Sequence, residues 1–129
     1  MFLYDLTDRE RAAFPALARE VVRADGRLAD HEQEYMTRLE RELAVPPKDL
    51  TVEEALAAFE MPSARRAAYC ELIGIAWLDG EFADTEALLL DRIADAWALD
   101  SQDRVAIHQW VHDQIAHLSR ARELFAGAA

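Results

Sequence analysis

Cysteine occurs once in the 129 residues, at Cys70. A single thiol excludes an internal disulfide and a cysteine-built zinc site, and it fits a reducing cytoplasm. Glycine and proline are scarce, four of each, so turns must be few and short. Basic residues are outnumbered, 14 against 25 acidic, giving a formal charge of −11. Such a surface repels phosphate backbones, so no nucleic-acid partner is expected. No apolar run approaches the length of a membrane span, and Arg120-Ala-Arg-Glu is too sparsely basic for a membrane-surface helix. Direct membrane insertion is therefore not expected. Met1–Thr7 has no basic region and is interrupted by Asp5, so no signal peptide is expected either.

What is present favours helix. Apolar residues make up 52% of the chain, with alanine prominent and β-branched residues few. The length suits one domain able to bury its own core without disulfide or metal. Thr7-Asp-Arg-Glu10 is a capping box opening a first helix that ends at Asp25-Gly26, with Pro15 expected to kink it or split off a turn. Asp30 reads as the next N-cap, and Val45-Pro46-Pro47 ends the second helix. Thr51-Val-Glu-Glu54 opens a short third helix running to about Phe59. The fourth, about Ser63 to Leu78, is apolar nearly all round and is expected at the bundle centre, with Gly74 closely packed. Asp84 is expected to cap the fifth, and Asp100-Ser101 to start a long last helix, about 101–126. Ile107, Val111, Ile115, Leu118 and Phe125 share one face of that last helix. The expected fold is all-α: a single domain over 1–129, a compact bundle of about six helices.

The second hairpin repeats the first at a displacement of 54 residues. Asp25, Gly26, Ala29, Asp30, Glu32, Arg38 and Ala44 recur as Asp79, Gly80, Ala83, Asp84, Glu86, Arg92 and Ala98. Seven identities in 21 positions, concentrated in the turn, indicate a duplication covering about 8–45 and 63–99. Two copies are too few for a solenoid, so a closed pair with pseudo-twofold symmetry is expected.

Each turn reads Asp-Gly-x-apolar-Ala-Asp-x-Glu and gathers carboxylates of the kind hard cations seek. It is not an EF-hand. With Gly80 at that loop's glycine and Glu86 at its last ligand, the first and third ligand positions fall on Ile75 and Trp77, and in the first copy on Val21 and Arg23. None of these offers a side-chain oxygen. The structural alternative reads Asp-Gly as a helix stop, Asp30 and Asp84 as N-caps and the glutamates as charges at a positive helix end.

The turn Ala24-Asp-Gly-Arg-Leu-Ala-Asp-His-Glu32 and its echo Leu78-Asp-Gly-Glu-Phe-Ala-Asp-Thr-Glu86 resemble the motif of the TerB-like family, which includes tellurite-resistance proteins and the N-terminal domain of a membrane-anchored DnaJ-like co-chaperone. The resemblance spans about residues 8–100. It implies an all-α, internally pseudo-symmetric domain of a cytoplasmic bacterial protein in a stress or tellurite-resistance response. It also implies an acidic metal cluster and a protein partner at the membrane. The family's acidic positions fall on Asp25, Glu32, Asp79 and Glu86. The cofactor implied is a divalent cation, Ca²⁺, Mg²⁺ or Mn²⁺ ahead of Zn²⁺. Arg27 stands where the second copy has Glu81, so the second turn is expected to be the stronger cation site.

Other chemistry is thin. His108 and His112 have the i, i+4 spacing of a zinc pair, but no third ligand is near in sequence. Cys70 reads as a small core residue. The Arg65-Arg66 pair opens a helix, where positive charge needs an acid or a partner. No nucleophile, base and orienter set can be assembled. The expected function is a non-enzymatic binding module. A metal-free interaction domain and a hydrolase using paired carboxylates are the alternatives.

Overall fold

The computed structural model describes residues 2–25, 32–77 and 82–127. Among them there are six α-helices and no strand: α1 (Asp8–Asp25), α2 (Glu32–Leu43), α3 (Val52–Ala57), α4 (Pro62–Ala76), α5 (Asp84–Ala96) and α6 (Ser101–Ala126), preceded by a 3-10 turn at Leu3–Asp5. No helix is long and apolar enough to cross a membrane among the described residues.

The helix starts follow the local chemistry. Thr7 and Glu10 exchange the two bonds of a capping box, 2.8 and 3.2 Å. Thr51 and Glu54 do the same at α3, 3.0 and 3.2 Å. The Asp100 carboxylate accepts the Asp103 N–H at 2.7 Å and caps α6. Pro62 occupies the first turn of α4, where its missing N–H costs nothing. Pro15 does not split α1, which is continuous from Asp8 to Asp25.

Asp84 is not the cap of α5. The N-cap is Ala83, and Asp84 is the exposed first residue of the helix. The cap bond comes instead from Glu86, whose Oε1 accepts the Ala83 N–H at 2.9 Å. An alanine cap has no acceptor of its own, so the reaching-back glutamate satisfies that end of the helix. Asp30, expected to cap α2, lies outside the described residues.

One apolar cluster joins the 3-10 turn and all six helices, from Leu3 to Val111. Val21, Val22, Leu39, Leu72, Ile73, Ala76, Leu90 and Ile93 are all buried in it. The centre is shared. Helix α1 packs against α2, α3, α4 and α5, and α4 packs against α1, α5, α6 and the N-terminal turn. Small residues make α1 suited to this: Ala12, Ala13 and Ala18 are buried and let neighbours approach its backbone. Gly74 is not closely packed. A Cβ built there meets nothing within 4 Å.

The two segments that the sequence aligns as repeats end on a shared backbone signature. Among the described residues, Ala44 and Ala98 are the non-glycine residues with positive φ, at 59° and 57°. In the second copy the Leu99 N–H reaches the Ala94 carbonyl at 3.0 Å and the Ala98 N–H reaches Asp95 at 3.1 Å. That is the Schellman arrangement at the end of α5. Burial matches as well: Met36 with Leu90, Leu39 with Ile93, Leu43 with Trp97.

Candidate functional site

The first acidic segment of the sequence follows α1 and leads into α2, and the second follows α4 and leads into α5. Of the four expected ligands, the side chain of Asp25 and all of Asp79 lie outside the described residues, as do Gly26, Arg27, Gly80 and Glu81. Glu32 and Glu86 are described, and they do different things.

Glu32 is engaged by two arginines of α1. Arg23 Nε donates to its Oε1 at 3.0 Å, and Arg19 Nε lies 3.9 Å away. The sequence pattern named Arg27 as the positive charge of the first turn. Arg23 and Arg19, one helical turn apart, neutralise it from the preceding helix, a pairing visible only once α1 and α2 are packed. A cation at Glu32 would compete with both guanidinium groups for its charge. The matching positions of the second copy are Ile73 and Trp77, which carry no charge.

Glu86 is completely buried. Its bond to Ala83 fixes the start of α5. Beside it, Thr85 Oγ1 donates to the Ala24 carbonyl at 2.6 Å. This bond ties the N-terminus of α5 to the C-terminus of α1. Among the described residues no group of three or more His, Cys, Asp and Glu side chains is placed to hold a metal.

The histidine pair belongs to an aromatic cluster on another face. His108 Nε2 lies 3.0 Å from the Tyr69 hydroxyl. Its ring meets those of Tyr69 and Phe82 edge-on, with centroids 5.7 and 5.8 Å apart. Burial lowers the His108 pKa, against the opposing pull of Asp91. A neutral imidazole can accept the Tyr69 proton at Nε2, and burial pushes that hydroxyl's pKa up to about 12. His112 points outward, 66% exposed, with its ring edge-on to Trp77. Tyr69, Trp77, Asp91, Arg104, His108 and His112 line an open cleft of about 520 Å³. Arg104 is held there by Asp95 at 2.7 Å and by the Leu99 carbonyl at 2.9 Å. The Nε2 of His108 is thus turned to Tyr69.

The remaining candidates also have structural work. Arg66 meets Asp103 at 3.0 Å, tying α4 to α6. Arg65 Nε donates to the Phe59 carbonyl at 2.6 Å and Nη1 to the Trp97 carbonyl at 3.4 Å, joining the chain after α3 to the end of α5. Burial pushes the Cys70 thiol up to about 11, so it is protonated and a poor nucleophile at neutral pH.

No family model, curated protein or solved structure matches this chain.

Proposed function

We propose that the chain is a non-enzymatic binding module of the TerB-like kind, with two pseudo-twofold-related hairpins, and that its second acidic turn holds a divalent cation. The supporting observation is the Thr85–Ala24 bond, which ties the start of α5, just after the second acidic segment of the sequence, to the end of α1, just before the first. Cations and basic protein surfaces are the partners that suit a chain of charge −11. The two copies are not equivalent. Arg23 and Arg19 offset the first-turn glutamate, whereas the second copy has Trp77 and Ile73 at those positions. Binding at the second turn should be the tighter, and it should weaken as pH falls and carboxylates protonate. The motif's resemblance to the TerB-like family supports a role in a bacterial stress or tellurite-resistance response, with a protein partner at the membrane.

A metal-free interaction domain is the second reading, and one observation favours it. Glu86 accepts the N–H of its cap residue just as Glu10 and Glu54 do at α1 and α3. Three glutamates in the same helical position with the same bond can all be caps.

Calorimetric titration of the metal-stripped protein with Ca²⁺, Mg²⁺, Mn²⁺ and Zn²⁺ at neutral pH and low salt separates the readings. The cation reading expects saturable binding that Glu86→Gln weakens about tenfold or more, a cost of about 1.4 kcal/mol, and that Glu32→Gln leaves nearly intact. Asp84→Asn, at an exposed position in the same turn, provides a second variant whose fold is not at risk. Absence of binding in the parent protein overturns the cation reading and leaves the interaction domain standing.

A further inference from the structure

Helices α5 and α6 both pack on α4, and residues of all three line the open cleft of about 520 Å³. Tyr69 is fully buried at its base, bonded to His108. Trp77 also lines it, and Phe82 stacks on that ring at 5.3 Å and 28°, which holds it in place. Leu88, Asp91 and Asp95 follow one another at helical spacing along one face of α5. Val105 and Gln109 do the same on α6. Leu88 is 63% and Val105 69% exposed, so apolar side chains stand uncovered beside the polar ones. Charge in the cleft is unevenly satisfied. Arg104 is held by Asp95 and by the Leu99 carbonyl. Asp91 is left over. It is exposed, its charge acts on Tyr69, His108 and Arg104, and among the described residues no hydrogen bond or ion pair engages it.

We propose that this cleft is the partner site of the binding module and that it takes an arginine or lysine side chain from a basic, amphipathic segment of the partner protein. The inference rests on the binding-module reading and names the chemistry of its partner; it does not require a cation in the acidic turns. Charge selects the guest. Asp91 and Asp95 outweigh Arg104, the one permanent positive charge of the cleft, and Arg104 is already paired. An anionic guest meets a net negative surface, whereas a guanidinium or ammonium can pair with Asp91. The aromatic lining adds to this, because a cation is attracted to the face of a tryptophan ring. The chain's charge of −11 also steers a basic partner toward it. Leu88 and Val105 favour a protein guest over a free amine, since only a guest with apolar groups of its own removes their surface from water.

The test is a nuclear magnetic resonance titration of the full chain with an acetylated, amidated Leu-Arg-Ala-Ala-Arg-Leu peptide. It is run with chelator at about pH 7.5, where the lowered pKa of His108 leaves that ring uncharged. The chelator removes divalent cations, so this result and that of the cation titration are independent. The expected result is saturable binding at about 1 mM or tighter, with shifts at the Trp77 indole N–H and along Val105 to Gln109. The Trp97 indole, bonded to the Leu56 carbonyl, should stay fixed. Asp91→Asn should weaken binding about fivefold, the loss of one partly exposed ion pair. Val105→Lys, which adds a competing ammonium at the cleft, should weaken it as well. Glu53→Gln removes an equal charge from α3 and should change the affinity by less than about twofold, since distant charges are screened. All three positions are exposed, so the fold is not at risk. Absence of saturable Trp77 shifts up to about 5 mM peptide overturns the proposal. So does an equal loss in Asp91→Asn and Glu53→Gln, the mark of attraction to net charge alone. Equal affinity for the peptide with glutamate in place of arginine overturns the basic guest. Equal affinity for putrescine, a free diamine of the same charge, overturns the protein partner.

Discussion

Ala44 and Ala98 hold a backbone conformation that residues with a Cβ avoid, at a cost of about 1–2 kcal/mol each. Both are exposed, so no packing reward explains the alanine. The conformation is imposed by the end of the helix: the Schellman bonds at α5 need a left-handed residue after Trp97, and buried Leu99 must follow it into the core. Glycine meets the same demand without the clash but loses more entropy on folding, about 0.4–1 kcal/mol. Ala98→Gly and Ala44→Gly should therefore each stabilise the protein, by about 0.5–1 kcal/mol on balance. Urea denaturation measures this. Loss of stability in either variant would show that the left-handed turn carries no strain.

At the scale of elements, α4 combines two roles. One side enters the core through Tyr69, Leu72, Ile73 and Ala76, and the other forms the floor of an apolar groove between α4 and α6 at Gly74. A glycine inside a helix costs about 0.8–1 kcal/mol against alanine unless its lack of a side chain is used for packing. Here the added Cβ meets nothing within 4 Å. Gly74→Ala should stabilise the chain by up to about 1 kcal/mol, read as a raised unfolding midpoint in dilute protein. A destabilised Gly74→Ala would mean that α4 packs more tightly at this point than the open groove allows.

For the molecule as a whole, His108 links stability to pH. Tyr69 on α4, Phe82 before α5 and His108 on α6 meet in one cluster, so a change of charge there is felt by three elements. Burial lowers the pKa of His108 below its usual 6.5, with Asp91 opposing and Arg104 and His112 along the same cleft. The folded state therefore prefers the neutral ring. That preference is fully present above the unfolded value of 6.5 and is lost as pH falls from there through the lowered folded value. Stability should decline across this window, and His108→Gln, which keeps an acceptor for Tyr69, should flatten the decline. Urea midpoints of parent and variant from about pH 7.5 to 5.5 test this, since most carboxylates stay ionised over that range. Parallel profiles for the two proteins would remove His108 as the cause.

Local rules made much of this protein readable from its sequence. The capping boxes at Thr7 and Thr51, the Asp100 cap and the apolar positions repeating at helical spacing depend on neighbours three or four residues away, and such neighbours are adjacent on any helix. Ala44 and Ala98, one of the pairs that the repeated sequence aligns, take the same left-handed backbone conformation. The candidate site was legible only as a pattern of acids. That Arg23 and Arg19 neutralise Glu32 is a contact between α1 and α2, and the Thr85–Ala24 bond spans 61 residues. Helical periodicity carries no information about such pairs. The same holds for α6. Its stripe reads as one core-facing face from Ile107 to Phe125, yet α4 covers only the first part. Periodicity says which residues share a face. Where the neighbouring helix stops, and which side of Gly74 stays open, is decided by how the helices pack.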